Sequence, residues 1–520
     1  MSRRLLPALV PVCTALCLAA GVAYAQEGES APLTLEEALS TALANNLDLV
    51  SARKDPLIAE QQIQVNRAPF DGIVGASAGF AHTGVDDVFR DNILAVTTPG
   101  VTSEQDRPTA SARFDHLLNY GANYALVYDF QDPDGTDTRI DPSTGTLTRT
   151  STAVTSQGFS LEYNMPLLKG FGKEVNQINL ILARSGLDIS REDLRLSAMQ
   201  TLNGVEDAYW DVLAAREQLR ISRLSLERAK DLLELNRKKV EVGTLAPIEI
   251  TQAEAGVASQ EEGVILAETT LENAEDALLR LMAVPDASPL WDQSLQLMDR
   301  PSYEPQDLDL DASIAKGLEH RPEIVIARQQ LKDNELTERV ARKNVRHSLD
   351  LQARIAPEGK SDADQLFEST TFPTSDTTTN STSTDWNVGL RYSYPLRNRR
   401  AKADYAIARL NTEKGIAGIQ QAEQTIRVDV RTAVRNVDSG VQRVEAARKN
   451  VELQQKKLDA EQKKFENGMS TSFEVLTFQN DLATAELSEI RARLDYIKSL
   501  AALERATGTL LEARGMQIAP

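Results

Sequence analysis

Two glutamates occupy equivalent positions in the two halves of this chain, each just after a glycine turn, where a carboxylate can attract cations. Glu249 follows the turn Val242-Gly243-Thr244-Leu245, and Glu474 follows Asn467-Gly468-Met469-Ser470 at the corresponding place in the second half of the chain. Each glycine-marked turn leads into an apolar-Glu-apolar triplet that opens a helix. A carboxylate placed there attracts cations. The alternative interpretation is an ordinary first-turn acid, which the helix dipole favours.

No constellation typical of an enzyme or a metal site accompanies these glutamates. The four histidines (His82, His116, His320 and His347) are scattered without the spacing of metal ligands. No motif pairs a nucleophile with a base. The sequence therefore predicts a protein that is not an enzyme, with no metal and no cofactor.

The charge balance and the first residues restrict the partners and the compartment. The 520 residues carry a net charge of −19, which argues against nucleic acid as a partner because nucleic-acid binding needs a basic face. Residues 1–25 have a positive start, an apolar run and Ala23-Tyr24-Ala25, the pattern of a signal peptide. Both cysteines, Cys13 and Cys17, fall inside it, so the exported chain has no disulfide.

Long helical segments flank both glycine turns. Helix formers without proline extend over about residues 172–242 and 400–466, and about 68 helical residues span roughly 100 Å. Such a helix needs neighbouring helices, as in a coiled coil or a helical barrel. A seam at spacings of 3 and 4 recurs at one constant offset in residue number: Leu219, Ser222, Leu226, Ala229, Leu233, Asn236 and Val240 match Val444, Ala447, Val451, Gln454, Leu458, Glu461 and Phe465. Its polar members indicate a wide, wet interior.

Segments of period 2 precede each long helix and predict half-buried strands. They include Val74 to Phe80, Phe159 to Met165, Leu349 to Ile355 and Trp386 to Tyr394. The polar segments 131–156 and 369–384 predict loops. Further strand candidates at 110–114 and 121–130 either widen the sheet or form an extracellular hairpin, and we expect the hairpin.

The second half of the chain repeats the first. The motif Leu161-x-Tyr163-x-x-Pro166 returns as Leu390-x-Tyr392-x-x-Pro395, so Pro166 and Pro395 mark the boundaries from strand to helix. We therefore expect two structural repeats. The first, 26–305, has N-terminal helices, strands within 70–166, a long helix at about 172–242, a tip at 243–247, a return helix to about 283 and a connector. The second, 306–520, has helices at 310–345, strands within 347–395, a long helix at about 400–466, a tip at 467–472, a return helix to about 508 and a C-terminal tail.

The strand faces predict a barrel, because aromatic and aliphatic residues alternate with polar ones as lipid outside and water inside require. A single chain has too few strands to close one, and an open edge in lipid leaves backbone groups unsatisfied. Oligomerisation follows. Two strands from each half, in three chains, give twelve.

These features together resemble the TolC-like outer-membrane efflux channel family (outer membrane factor). The resemblance covers nearly all of the exported chain and rests on four features: the run Leu33 to Leu39, its repeat at Leu308, the segment Pro166 to Gly172, and both turns. It implies an internally duplicated α+β membrane protein, a homotrimer in outer-membrane lipid. Its 12-stranded barrel would continue into a long periplasmic α-helical barrel, and its partners would be a periplasmic adaptor and an inner-membrane transporter.

The resemblance also assigns roles to residues at the turns. Glu249 and Glu474 match acids that ring the periplasmic entrance in the family. Gln252 and Thr477 stand where the family often has a second acid, which predicts a weaker ring. The implied adaptor contacts are Val242, Gly243, Thr244, Leu245, Asn467, Gly468, Met469 and Ser470, for which simple glycine helix ends are the alternative.

Other interpretations stay open at this point. A structural periplasmic coiled-coil spacer or adhesin stalk would use the same long helices, although it has no need of repeated strands. Among channels, drug efflux, metal efflux and protein secretion share this outer component. The sequence does not specify the exported cargo.

Overall fold

A computed structural model describes residues 31–87, 101–140, 147–368 and 375–518. The predicted signal peptide, residues 1–25, lies outside the described residues. None of the helices in these ranges combines the length and the apolar character needed to cross a membrane.

The first half contains six α-helices, two short 3-10 helices (Ala68–Phe70 and Pro289–Trp291) and seven strands in the described ranges. In chain order the α-helices and strands are β1 (Ala31–Leu33), α1 (Leu35–Asn45), α2 (Leu47–Ala52), α3 (Lys54–Arg67), β2 (Ile73–Asp87), β3 (Val101–Leu117), β4 (Asn123–Gln131), β5 (Asp134–Ile140), β6 (Leu147–Pro166), α4 (Lys173–Asn176), α5 (Ile178–Glu241), α6 (Ile248–Leu281) and β7 (Leu295–Leu297).

The second half is simpler in the described residues. It consists of α7 (Leu310–His320), α8 (Pro322–Asn344), β8 (Ser348–Glu368), β9 (Ser375–Ser393), α9 (Arg399–Glu466), α10 (Ser472–Thr507) and α11 (Leu510–Ala513).

The long helices α5 and α9 have 64 and 68 residues, or about 96 and 102 Å at 1.5 Å per residue. Each returns through a tight turn into a shorter helix, α6 or α10, that packs along it, and α10 also packs against α5. Apolar seam residues are buried or half-buried along these contacts, and Leu219 and Ala229 of α5 and Val444 and Leu458 of α9 are buried. At the turn end, Leu232, Leu458, Phe465, Val475 and Leu482 form a separate buried cluster.

The middle of the helical part is tied together by β1 and β7, which pair in parallel. Tyr209 of α5 is fully buried there. Its hydroxyl donates to the Asp299 carboxylate at 2.6 Å, and that carboxylate also accepts from the Leu35 amide at 2.7 Å. The largest apolar cluster surrounds these groups.

The remaining strands form one antiparallel sheet in the order β2-β3-β4-β6-β8-β9, with β5 paired to β3 and β6. The expectation of two strands from each half is wrong for the first half, where β3 and β4 extend the sheet. The expected extracellular hairpin is also wrong. The turn between β3 and β4 lies at the helix end of the sheet, where the Gly172 amide donates to the Tyr120 carbonyl at 3.0 Å.

Two segments predicted as loops are partly strands. β5 and the first residues of β6 fall within 131–156, and β9 begins inside 369–384, at Ser375. These segments lack the alternation of apolar and polar residues that identifies a half-buried strand. They pair nonetheless, because their neighbours supply hydrogen-bond partners and because Thr favours extended backbone.

Candidate functional site

The end of α5 is closed by a glycine in the left-handed conformation. Gly243 has φ +76°, and its amide donates to the Val240 carbonyl at 2.9 Å. The Thr244 amide donates to the Lys239 carbonyl at 2.8 Å. These bonds satisfy carbonyls that a helix end leaves without partners, so the chain reverses within a few residues.

The end of α9 repeats this arrangement in the second half of the chain. Gly468 has φ +71°, its amide donates to the Phe465 carbonyl at 3.2 Å, and the Met469 amide donates to the Lys464 carbonyl at 2.9 Å. We call residues 242–249 the first tip and residues 467–474 the second tip. The same backbone bonds therefore build both tips.

The carboxylate of Glu249 connects the two tips. Its Oε2 accepts a hydrogen bond from the Ser472 amide, in the first turn of α10, at 3.3 Å. Asn236 Nδ2 donates to the Ser472 hydroxyl at 2.7 Å and to the Glu249 carbonyl at 3.2 Å. Asn236 and Ser472 are fully buried, so this contact is internal to the bundle.

Glu474 sits in a different environment. Its backbone amide donates to the Thr471 hydroxyl at 3.4 Å, which caps α10, and its side chain is exposed. The Ser470 hydroxyl lies 2.8 Å from Glu474 Oε2 and 2.6 Å from Glu461 Oε1. A hydroxyl has one proton, so it donates to one of these carboxylates at a time.

Glu461 is a buried acid beside the second tip. Lys464 Nζ lies 2.9 Å from its Oε2. The hydrogen bond from Ser470 and the ion pair with Lys464 hold the pKa of Glu461 below its ordinary value. The anionic form is therefore favoured where the second tip folds back on α9.

A lysine from the first long helix reaches the last turn of α9, just before the second tip. Lys239 Nζ lies 4.1 Å from the centre of the Phe465 ring and donates to the Phe465 carbonyl at 3.0 Å. A cation over an aromatic face is attracted by the ring quadrupole. Lys239 and Asn236 thus hold the two hairpins together from the α5 side.

The predicted adaptor contacts lie at this end of the molecule. Val242 and Met469 are 72% and 70% exposed, so each tip presents an apolar side chain to solvent. Gly243, Thr244, Asn467 and Gly468 are also exposed, whereas Leu245 and Ser470 are half-buried. Leu245 packs on the apolar cluster beneath the tips.

The two predicted boundary prolines lie between the sheet and the helices. Pro166 is the last residue of β6, opposite Asp350, and Pro395 follows β9 by two residues. The Asn398 amide donates to the Pro395 carbonyl at 3.0 Å. Asn398 itself is left-handed, with φ +40°, and starts α9.

Sequence reasoning missed the structural role of Asn236, Glu461 and Ser472. Both Asn236 and Glu461 belong to the polar part of the seam, which predicts a wet interior. For these two residues that prediction is wrong, because both are buried within the chain. The signal was present, since they occupy the same seam position in the two halves of the chain. Among the residues that the structure describes, no three His, Cys, Asp or Glu side chains group closely enough to hold a metal ion.

Comparison with known proteins gives a consistent result. The family described as "Outer membrane efflux protein" matches residues 137–284 and 314–509. The pyoverdine export outer membrane protein OpmQ of Pseudomonas aeruginosa is 27% identical over 357 residues, which is 68% of this chain and 69% of OpmQ.

Solved structures share the fold at low identity. The Campylobacter jejuni CmeC outer membrane channel has a TM-score of 0.61 and 16% identity, covering 94% of this chain and 91% of CmeC. The Vibrio cholerae outer membrane protein VceC has a TM-score of 0.61 and 14% identity, covering 91% of this chain and 96% of VceC. The predicted fold class, a membrane barrel joined to a long helical barrel, is confirmed.

Proposed function

This chain belongs to the outer membrane efflux protein family, and from that premise we propose that it is the passive exit duct of a three-component export system. The predicted location, in the outer membrane with a large periplasmic part, is confirmed. In the proposed system, three copies form the duct, a periplasmic adaptor docks on the tips, and an inner-membrane transporter supplies the energy. The duct itself carries out no chemistry.

The observation that carries this proposal is the pairing of the two tips. The Glu249 carboxylate lies 3.3 Å from the Ser472 amide, so both hairpins of one chain end together, far from the sheet. Exposed apolar residues cover this end, including Val242 and Met469. A partner that docks from the periplasm would find a small apolar surface with acids beside it.

We propose that Glu249 and Glu474 contribute to an acidic entrance. Three copies would bring six carboxylates around one opening, where they attract cations and repel one another. The two acids differ, since Glu249 is half-buried against the start of α10 and Glu474 is exposed. Glu474 would therefore supply most of the field felt by an ion in the entrance.

The cargo proposed for a first test is pyoverdine or a compound of its kind, because the two curated relatives are named as pyoverdine export outer membrane proteins. The alternative of a periplasmic spacer or adhesin stalk is disfavoured by the long sheet, which a stalk does not need.

Planar bilayer recording tests the channel role directly. Purified protein should give discrete, cation-selective conductance steps. An export assay then tests the partnership: a deletion strain should regain export with the wild-type gene, and Val242→Asp with Met469→Asp should prevent this while conductance is retained. Absence of conductance from folded protein would refute the duct.

A further inference from the structure

The sheet of this chain has six strand positions where four were expected. β4 and β5 share one position, because both pair with β3 on one side and β6 on the other. β4 and β5 are separated at Asp132-Pro133, because proline has no amide hydrogen to donate to the neighbouring strand. The Pro133 carbonyl still accepts from the Val154 amide at 2.9 Å. The sheet is therefore continuous across the break.

The added strands reach the helix end of the sheet. The turn between them is closed by the Leu118 amide, which donates to the Ala122 carbonyl at 2.7 Å. Gly121 has φ +100°, and a Cβ there would lie 2.7 Å from the Gly170 carbonyl oxygen. The turn is thus packed against the segment that leads from β6 into the helices. β3 and β4 therefore extend from this end, as their neighbours do.

The added strands carry the same outer surface as the others. One row of directly paired residues crosses all six positions and is apolar throughout: Val74, Phe114, Leu126, Leu161, Ile355 and Trp386. All except Phe114 are large exposed hydrophobic residues. A continuous apolar row of this kind is what lipid requires on the outside of a barrel.

The opposite face is charged and also crosses the added strands. Arg113 of β3 pairs with Asp115 at 2.7 Å and reaches across β4 to Glu162 of β6 at 3.6 Å. Arg354 of β8 lies 3.7 Å from the same Glu162. This network puts charged side chains of β3, β6 and β8 on one face of the sheet, the face that would line the water-filled interior of a barrel. The strands of an extracellular hairpin would extend beyond the barrel and would not take part in this ion-pair network.

The two outer strands are suited to a second copy of this chain. In a single copy, no described strand pairs with the outer side of β2 or β9. β2 starts at the helix end and β9 returns to it, so β2 of one copy would lie antiparallel to β9 of the next. Both carry the apolar row, through Val74 and Trp386. In lipid, these unpaired edges would leave backbone groups unsatisfied.

We propose that three copies of this chain close an outer-membrane barrel of eighteen strands, six from each copy, through pairing of β2 with β9. Barrel diameter grows nearly in proportion to strand number, from about 24 Å for twelve strands to about 36 Å for eighteen at ordinary spacing and tilt. The outer-membrane passage then accepts cargo wider than a twelve-stranded barrel admits. This inference rests on the proposed trimeric duct and deepens it.

Disulfide cross-linking distinguishes the two barrels, because both native cysteines lie in the predicted leader. Ser77→Cys on the inner face of β2 would be combined in turn with Asn387→Cys, Gly389→Cys and Arg391→Cys on the inner face of β9. We expect one of these pairs to give covalent trimers. In a twelve-stranded barrel that leaves out β2 and β3, β4 is the edge strand. Asp129→Cys, which lies in the same row of paired residues as Ser77, would then give covalent trimers with one of the β9 cysteines, and Ser77→Cys would not.

Two controls make the result decisive. Ser77→Cys with Ser111→Cys should cross-link within one copy and give no oligomer, because these hydroxyls lie 2.8 Å apart. If the variants fail to assemble, cryo-electron microscopy of the wild-type trimer counts the strands directly. Twelve strands in a conducting trimer would overturn this inference and leave the duct intact, whereas a folded protein that does not conduct would refute the duct itself.

Discussion

The Glu249 carboxylate accepts a hydrogen bond from the Ser472 amide at 3.3 Å, across 223 residues of sequence. The acceptor opens one return helix, α6, and the donor opens the other, α10. A carboxylate at a helix N-terminus is stabilised by the helix dipole and by unpaired amides. One side chain therefore serves as an acid of the proposed entrance and as a link between the hairpins. The predictions below separate these two roles.

Removal of both tip acids should change ion selectivity. We expect Glu249→Gln with Glu474→Gln to lower the cation-to-anion permeability ratio about two- to fivefold and to weaken block by multivalent cations, because each trimer loses six charges. Reversal potentials in planar bilayers under a salt gradient measure this. Glu261→Gln with Glu486→Gln is the matched control, because these acids lie further along the same helices, about 18 Å away. Equal selectivity in the two double variants would show that Glu249 and Glu474 do not determine the ion selectivity of the entrance.

Removal of the buried amide at Asn236 should loosen the tips without changing a charge. Asn236→Ala leaves the Ser472 hydroxyl and the Glu249 carbonyl without this donor, at a cost of about 1–3 kcal/mol. We expect a larger fraction of time in the conducting state, with selectivity unchanged. Asn450→Ala, at an exposed position of α9, is the control. An unaltered open fraction in Asn236→Ala would show that this contact does not restrain the tips.

The long helices, their reversals and part of the sheet were predictable because each has a local cause. Proline-free segments with apolar residues at spacings of 3 and 4 form helices, and glycine allows the turns between them. Apolar residues that alternate with polar ones form half-buried strands. The Ser/Thr-rich part of β9 was not predictable by this rule. Its residues 377–384 are exposed, so no apolar face marks them as a strand, and pairing with β8 determines their structure.

The candidate site was predicted only as positions along the chain. The sequence placed Glu249 and Glu474 at equivalent positions, but their environments depend on residues that are distant in sequence. Glu249 meets the start of α10, whereas Glu474 shares a hydroxyl with Glu461. The two repeats differ at the seam position that decides this, with Asn236 in one and Glu461 in the other. Equivalent sequence positions therefore have unequal chemistry.

Acid should loosen the second tip. The pKa of Glu461 is lowered, so its contribution to stability is complete above the ordinary carboxyl value and disappears as pH falls through the lowered pKa. We expect hydrogen exchange in residues 467–472, corrected for intrinsic rates, to accelerate below about pH 4.5. Glu461→Gln should exchange faster already at neutral pH and show a weaker acid response. An identical pH profile in this variant would assign the effect to other groups.

The C-terminal segment is held by a buried ion pair, and this predicts a large effect far from the tips. Arg514 Nη2 lies 2.9 Å from Oε1 of Glu206, a buried acid of α5. Arg514→Ala leaves that charge unpaired, which costs about 3–5 kcal/mol, so we expect a clear fall in the Tm of the detergent-solubilised protein. Arg223→Ala, which breaks an exposed pair with Glu268, should change stability by about 0–1 kcal/mol.

A double variant identifies the cause of this loss. Arg514 Nη1 also lies 3.1 Å from Oε2 of Glu504, which is more exposed than Glu206. Adding Glu206→Gln to Arg514→Ala removes the more deeply buried of the two unpaired charges while nearly preserving side-chain volume, and should restore part of the Tm. If the double variant is no more stable than Arg514→Ala, the arginine acts through its pair with Glu504 or through packing of its stem. If Arg514→Ala itself has a wild-type Tm, the ion pair does not hold the C-terminal segment in place.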